Sequence, residues 1–200
     1  MANGRAARIE LIDRSTGRRL SAAQTWLAIA VMTFGTSFMS LVVVSLVPVL
    51  PEIAAHFGRS GGDLARFIQV APAVGTIVGA PVSGWMVERL GARRFLVWAF
   101  ILFAVFGAAG LFLDDITLLI ASRFVLGVAA AGIVTAALYL VSEYFDGEAR
   151  ARILGYQSAV GGAAAMAIGP VAGLVADAGG WHAPFSLYLL GFPFALITLF

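Results

Sequence analysis

Long apolar runs, separated by short polar turns, recur along this chain. The first covers about 24–50. Others follow at about 64–86, 94–113, 116–141 and 152–175, and a last one starts near 183. A helix crosses the hydrocarbon core of a bilayer in about 20 residues, so five of these runs predict complete crossings. The sixth shows about 17 residues before Phe200, slightly short of a crossing, and predicts that the native protein continues past this point. The expectation is an all-α, polytopic membrane protein with six transmembrane helices. Residues 1–23 read as a basic cytoplasmic tail, poorly ordered at its start. The apolar run that follows is too long for the core of a signal peptide, about 7–15 residues.

Charge orients the helices. If six spans alternate, ten arginines fall on one side: Arg5, Arg8, Arg14, Arg18 and Arg19 in the tail, Arg89, Arg93 and Arg94 in one loop, and Arg150 and Arg152 in another. The opposite loops hold only Arg59 and Arg66. Arginine-rich loops stay in the cytoplasm, which puts the amino terminus inside. Arg123 is left within the fourth span.

Composition agrees and narrows the chemistry. Charged residues make up 12% of the chain and mean hydropathy is +0.94, where a soluble domain carries about 25% charged residues. The net charge of +2 gives no nucleic-acid footprint. With no cysteine, thiol catalysis and cysteine-bound metal are excluded. His56 and His182 read as solvated loop histidines, since neither has a second metal ligand at useful spacing. Metal and cofactor are expected to be absent. No H-E-x-x-H or phosphate loop points to an enzyme, and the Asp114-Asp115 pair reads as an outer turn.

The chain also matches itself at an offset of 89 residues. Pro81-x-x-Gly84-x-x-x-Glu88-x-x-Gly91 aligns with Pro170-x-x-Gly173-x-x-x-Asp177-x-x-Gly180. The repeat unit holds three helices, about 24–113 and 114–200, and an odd number inverts the second unit in the membrane. Inverted repeats are a mark of secondary transporters, whose substrate sites lie at the repeat interface near the midplane.

The stretch from Gly84 to Leu96 carries a resemblance. Gly84, Arg89, Gly91, Arg93 and Leu96 match the loop pattern G-x-L-A-D-R-x-G-R-R/K-x-x-L of the major facilitator superfamily, with Met86, Val87 and Glu88 as conservative replacements. Ala92 departs from it, standing where the family usually has a base. The resemblance covers about 24–200 and implies the amino-terminal six-helix half of such a transporter: two inverted three-helix repeats that face a carboxy-terminal half, or a second copy, across a central cavity. It also implies a cytoplasmic gate. Glu88 would accept hydrogen bonds from a helix amino terminus of the other half, where the dipole favours an anion, and Arg89 and Arg93, with Glu143 and Arg150 or Arg152, would extend the charge network.

Four sets of residues are candidates. Arg123 comes first, because a guanidinium at helix depth costs several kilocalories unless it meets a cavity or a partner. Ser122-Arg123-Phe124-Val125-Leu126-Gly127 is similar to the family's fourth-helix motif, whose arginine is associated with proton coupling or substrate binding. Snorkelling to the outer interface is the rival reading. Gly127, Ala130, Val134 and Ala137 share its face, and small side chains there predict room for a cavity. In the first span Thr33, Ser37 and Ser40 make a hydroxyl stripe with Thr36 beside it. These hydroxyls either line an aqueous path or bond to a neighbouring helix. Gly161, Ala165, Gly169 and Gly173 fall at four-residue steps, and Gly169-Pro170-x-x-Gly173 partly resembles the family's antiporter motif. Ala71, Gly75, Gly79 and Ser83 form a similar stripe that reads as helix packing.

The resemblance implies alternating-access transport of a small solute, by proton-coupled efflux, in a bacterial inner membrane. The first span lacks the acid that some proton-driven exporters of the family carry there. Two alternatives stand beside efflux: import of a sugar or organic anion, and a six-helix membrane protein that transports nothing.

Overall fold

The structure is a computed structural model and describes residues 12–13, 18–19 and 22–199. The expected basic tail lies largely outside these residues. Its described part is a two-residue antiparallel ladder, Ile12–Asp13 against Arg18–Arg19. The rest is helical: α1 (Ala22–Gly35), α2 (Ser37–Val44), α3 (Leu50–His56), α4 (Gly58–Leu90), α5 (Ala92–Ala108), α6 (Ile116–Tyr144), α7 (Gly147–Gly179) and α8 (Gly191–Leu199). A short 3-10 turn, Ala109–Leu111, extends α5, and a longer 3-10 segment, Ala183–Leu190, leads into α8.

Among the described residues five segments are long and apolar enough to cross a membrane: Thr25–Val44, Arg66–Leu90, Ala92–Leu111, Ile116–Tyr144 and Gly147–Gly179. The sixth, Ala183–Leu199, is shorter. The first span departs from its expected extent of about 24–50, for two reasons. Between α1 and α2 the hydroxyl of Thr36 bonds back to the Thr33 carbonyl at 3.2 Å, a competition that bends helices. After Val44, Pro48 has no N–H with which to continue the ladder, and Val47 closes a tighter turn onto the Val44 carbonyl at 3.2 Å. In the sixth span the 3-10 segment gives way to α8 at Gly191, and Pro193 sits in the first turn of α8, where an N–H has no intrahelical partner to lose.

The two longest helices show the repeat. α4 and α7 are each 33 residues long and start 89 positions apart, with Pro81 and Pro170 inside them. Each ends on a glycine with positive φ, Gly91 at 82° and Gly180 at 73°. An L side chain is strained in that region, so the repeated glycine is the residue that lets each long helix stop and turn.

α6 lies at the centre. It is apolar on all sides, the pattern of a helix buried in protein rather than facing one solvent. Lipid is as apolar as leucine, so close packing, rather than expulsion of water, holds helices together in a bilayer. Glycines provide the approach. A Cβ at Gly75 on α4 would run into the Phe124 backbone, and one at Gly127 on α6 would run into the Pro72 backbone. Ala71 and Ser83 are buried on the same α4 stripe. On the other side of α6, Phe38, Phe100, Phe103 and Phe194 meet edge to face or tilted, with centroids 5.0–5.7 Å apart.

Asp115 starts α6. Its Oδ1 accepts from the amides of Thr117 (2.7 Å) and Leu118 (3.0 Å). The backbone bonds from Leu118 and Thr117 hold its carboxyl below the ordinary value of 3.8. A carboxyl with a lowered folded pKa contributes stability above the unfolded value, and that contribution is lost as pH falls through the folded one. The thermal midpoint of the wild type is therefore expected to drop on acidification below about 3.8 more than that of Asp115→Ala, which lacks the cap at every pH. Equal pH profiles of the two midpoints would contradict this.

Candidate functional site

Where α1 and α2 meet α6 and α7, the packing leaves a recess of about 290 Å³, lined by Thr36, Leu138, Leu154, Gln157, Ser158 and Gly161. Two leucines supply apolar walls, and hydroxyls and an amide supply hydrogen-bonding capacity. No ionisable side chain is in the lining. α7 contributes four of the six residues within two turns, because helical spacing puts Leu154, Gln157, Ser158 and Gly161 on one side. Thr36 reaches the recess from the bend between α1 and α2.

Gln157 is the residue that the sequence reading missed. It is buried, and its Nε2 donates to the Met32 carbonyl at 2.7 Å. This ties α7 to α1 one turn before the bend. A single glutamine in an otherwise small and apolar stretch was the available signal.

The hydroxyl stripe divides. Ser40 donates to the Gly161 carbonyl at 3.0 Å, a bond between neighbouring helices. Thr33 is buried and accepts from Thr36 through its carbonyl. The Ser37 hydroxyl is buried with no hydrogen-bond partner. Of the glycine stripe, Gly161 borders the recess, Gly169 approaches Val44 and Gly173 approaches Pro48. Pro170 is exposed.

Arg123 stands apart from the recess. It is fully buried, and its Nη2 donates to the carbonyls of Phe106 (3.0 Å) and Gly107 (2.6 Å) at the carboxyl end of α5. The guanidinium lies 4.7 Å from the Phe185 ring centroid and 4.9 Å from that of Tyr188. Gly107 and Gly110 leave the space those rings fill, since a Cβ on either would strike Tyr188 or Phe185. The Nε and Nη1 of Arg123 have no hydrogen-bond partner. The side chain is held inward by helix-end carbonyls and aromatic faces, so it does not snorkel. The face it was expected to share with a cavity is filled, not hollow: Gly127 abuts Pro72, and Ala130 and Ala137 are in the core.

Only Gly91 stands between α4 and α5, so the residues expected in a loop lie on the ends of these two helices, and this junction is open. Glu88 is exposed, and a side chain at Gly84 would meet nothing within 4 Å. Arg89 stacks over Trp85 at 4.3 Å. Arg93 donates from Nε to the Thr198 carbonyl (2.9 Å) and from Nη2 to that of Leu199 (2.8 Å), at the end of α8. Arg152 pairs with Glu148 at 2.9 Å. Glu143 is half-buried.

The family model of the Major Facilitator Superfamily matches residues 25–200, all but the first few residues of the helical part. This chain belongs to the Major Facilitator Superfamily. It is a multi-pass integral membrane protein by the length and composition of its helices. Three relatives carry transport in their names or family names. Solute carrier family 22 member 20 of Mus musculus is 34% identical over 46% of this chain and 16% of its own length. Riboflavin transporter RibZ of Clostridioides difficile is 24% identical over 88% of this chain and 38% of its own. The arabinose-proton symporter of Escherichia coli is 37% identical over 46% of this chain and 19% of its own. The matches thus span between a sixth and two fifths of these relatives' length.

Proposed function

We propose that this chain is the amino-terminal half of a secondary transporter that moves a small solute by alternating access, coupled to protons and directed outward. The observation that carries the reading is the uncharged recess, in a chain of this superfamily. Thr36, Gln157 and Ser158 each donate to a backbone carbonyl and keep oxygen lone pairs that accept from the solute, and Leu138 and Leu154 cover its apolar parts. Ser37 and Ser40 sit on the adjoining turn of the same hydroxyl stripe. Sites of this kind are mostly apolar with a few polar groups that fix orientation. No covalent chemistry is involved.

On this reading the second half, or a second copy, closes the other side of the recess. The arginine-rich face is cytoplasmic in a bacterial inner membrane. Glu88 and Arg89 are exposed and open Gly84 is next to them, which suits a face that meets the partner half and gates it. Arg93 braces that face by holding α8. The stripe Gly161, Gly169, Pro170 and Gly173 lets α7 slide against α2. Arg123 tunes the arrangement from inside the packing, by holding the end of α5 against α6. A specific observation favours import as the second reading: the relative from Escherichia coli is named a proton symporter.

The natural protein in vesicles with an internal pH-sensitive dye tests this directly. Lipophilic cations and small neutral metabolites would be offered under an imposed proton gradient. Solute-dependent proton movement out of step with a protonophore control is expected, and its sign separates export from import. Silence across the panel would remove proton coupling. A substitution tests the recess: a Cβ at Gly161 meets nothing within 4 Å, so Gly161→Leu is expected to fold and to fill the recess. Transport should fall at least about tenfold, the equivalent of ~1.4 kcal/mol of binding. Unchanged transport by a folded Gly161→Leu would place the solute elsewhere.

A further inference from the structure

Hydroxyl groups on helices settle on nearby backbone carbonyls, and around the recess they have done so. Thr36 Oγ1 donates to the Thr33 carbonyl at 3.2 Å, and Ser158 Oγ to that of Leu154 at 3.1 Å. Two further bonds run between helices. Ser40 donates to the Gly161 carbonyl at 3.0 Å, and Gln157 Nε2 to that of Met32 at 2.7 Å. Each of these groups spends a proton and keeps its oxygen lone pairs. Within the lining, Thr36, Gln157 and Ser158 thus supply three acceptor oxygens, against the second N–H of Gln157 as donor. Ser37, on the adjoining turn, has an uncommitted hydroxyl, but that hydroxyl is buried and is not part of the lining.

We infer that the recess selects an uncharged solute rich in hydrogen-bond donors, such as an amide or a polyol, and rejects carboxylates and phosphates. This rests on the recess being the solute site. An ionised carboxylate is an acceptor only. In the recess it faces three oxygens of its own kind and no lysine, arginine or histidine. It gives up its water without a matching set of donors, which costs most for a charged group. An ammonium finds acceptors, but no carboxylate lines the recess to balance its charge. A neutral O–H or N–H pairs with the same oxygens at no such cost.

The surroundings keep this polarity fixed. A hydroxyl that turned to donate to an anion would give up a bond it already has. The bonds from Ser40 and Gln157 tie α7 to α2 and α1, so packing holds the acceptors in place before any solute arrives. Arg152, two residues before Leu154 on α7, is no ready anion partner, because it is paired with Glu148 at 2.9 Å. The size of the recess narrows the class further. Its volume of about 290 Å³ is at the lower end of small-molecule sites, about 300–1,000 Å³. With Leu138 and Leu154 as walls, it suits one ring or a short polyol.

Matched pairs of solutes test the inference on the natural full-length protein in vesicles. Benzamide and benzoate, succinamide and succinate, and glucose and gluconate would each be offered at neutral pH, where the acids are ionised. Wherever a pair is accepted, the neutral member is expected to move at least about tenfold faster. Ser158 is exposed, so Ser158→Lys should fold, as size exclusion would show. It adds a charged donor and should shift the ratio at least about tenfold toward the carboxylate. Thr36→Val removes an acceptor and should slow the neutral member without helping the acid. The inference is overturned if the wild type takes the carboxylate equally well or better, or if a folded Ser158→Lys leaves the ratio unchanged. It also falls if every pair is ignored while a lipophilic cation is carried, an outcome that leaves transport itself standing. If no solute of any class moves, the proposed transport falls, and the inference with it.

Discussion

Arg123→Ala is expected to lower the stability of the folded protein by about 3 kcal/mol, and Arg123→Met to leave it within about 1 kcal/mol. The alanine variant empties a fully buried site between α5, α6 and the 3-10 segment, and large-to-small changes in cores cost about 2–5 kcal/mol. It also leaves the carbonyls of Phe106 and Gly107 without their donor. Methionine leaves the same two carbonyls without a donor, so the two variants differ through volume, most of which methionine fills. It also removes a cation whose Nε and Nη1 have no partner, and replacing a poorly compensated buried charge by an apolar side chain is often neutral or stabilising. Thermal or denaturant unfolding in detergent measures both. The same pair separates two roles for this arginine. If it acts through packing, Arg123→Met transports. A stable Arg123→Met that does not transport would put the charge itself in the coupling step.

Gly127→Leu should have the larger effect, a loss of about 3 kcal/mol or more and little folded protein. Overpacking a core costs about 1–3 kcal/mol when side chains can give way. Here the obstacle is the Pro72 backbone, and α4 could make room only by moving as a rigid body. Gly75→Leu meets the Phe124 backbone and should behave alike. Gly84→Leu is the contrast: its added side chain meets nothing within 4 Å, so the six-helix unit should fold. Size-exclusion profiles of the solubilised variants would show this directly. A monodisperse Gly127→Leu at wild-type yield would mean that α4 and α6 are not packed as described. Folded but inactive Gly84→Leu would match a position that meets a partner half.

How much of this was legible in the sequence follows from the physics of each feature. Membrane spans announce themselves because residues that face hydrocarbon must be mostly apolar, so the five full-length spans could be read by length alone and the sixth as a shorter run. The repeated glycines were legible as a pattern, but the expected span ends near 86 and 175 fell short of Leu90 and Gly179, where α4 and α7 stop. Only glycine takes positive φ without strain, and Gly91 and Gly180 recur 89 positions apart. The helix-packing stripe at Ala71, Gly75, Gly79 and Ser83 was visible for a similar reason, since a backbone contact tolerates few side chains.

What faces what was a matter for the tertiary structure. In a helix where nearly every residue is apolar, periodicity does not distinguish lipid from protein, and a small-residue face reads equally as cavity lining or as contact. Gly127, Ala130 and Ala137 proved to be contact because α4 and the core occupy the space beside them. Arg123 was conspicuous as a charge, but its partners are backbone carbonyls and ring faces, which carry no sequence signature. Gln157 and the His182–Asp114 pair join positions 125 and 68 residues apart. By itself the sequence determined that the chain spans a membrane as a repeated set of helices, because hydrophobic length and glycine geometry are local properties. Only the tertiary structure decided which polar groups meet, because a hydrogen bond depends on where the second atom lies, and that is set by how the helices pack.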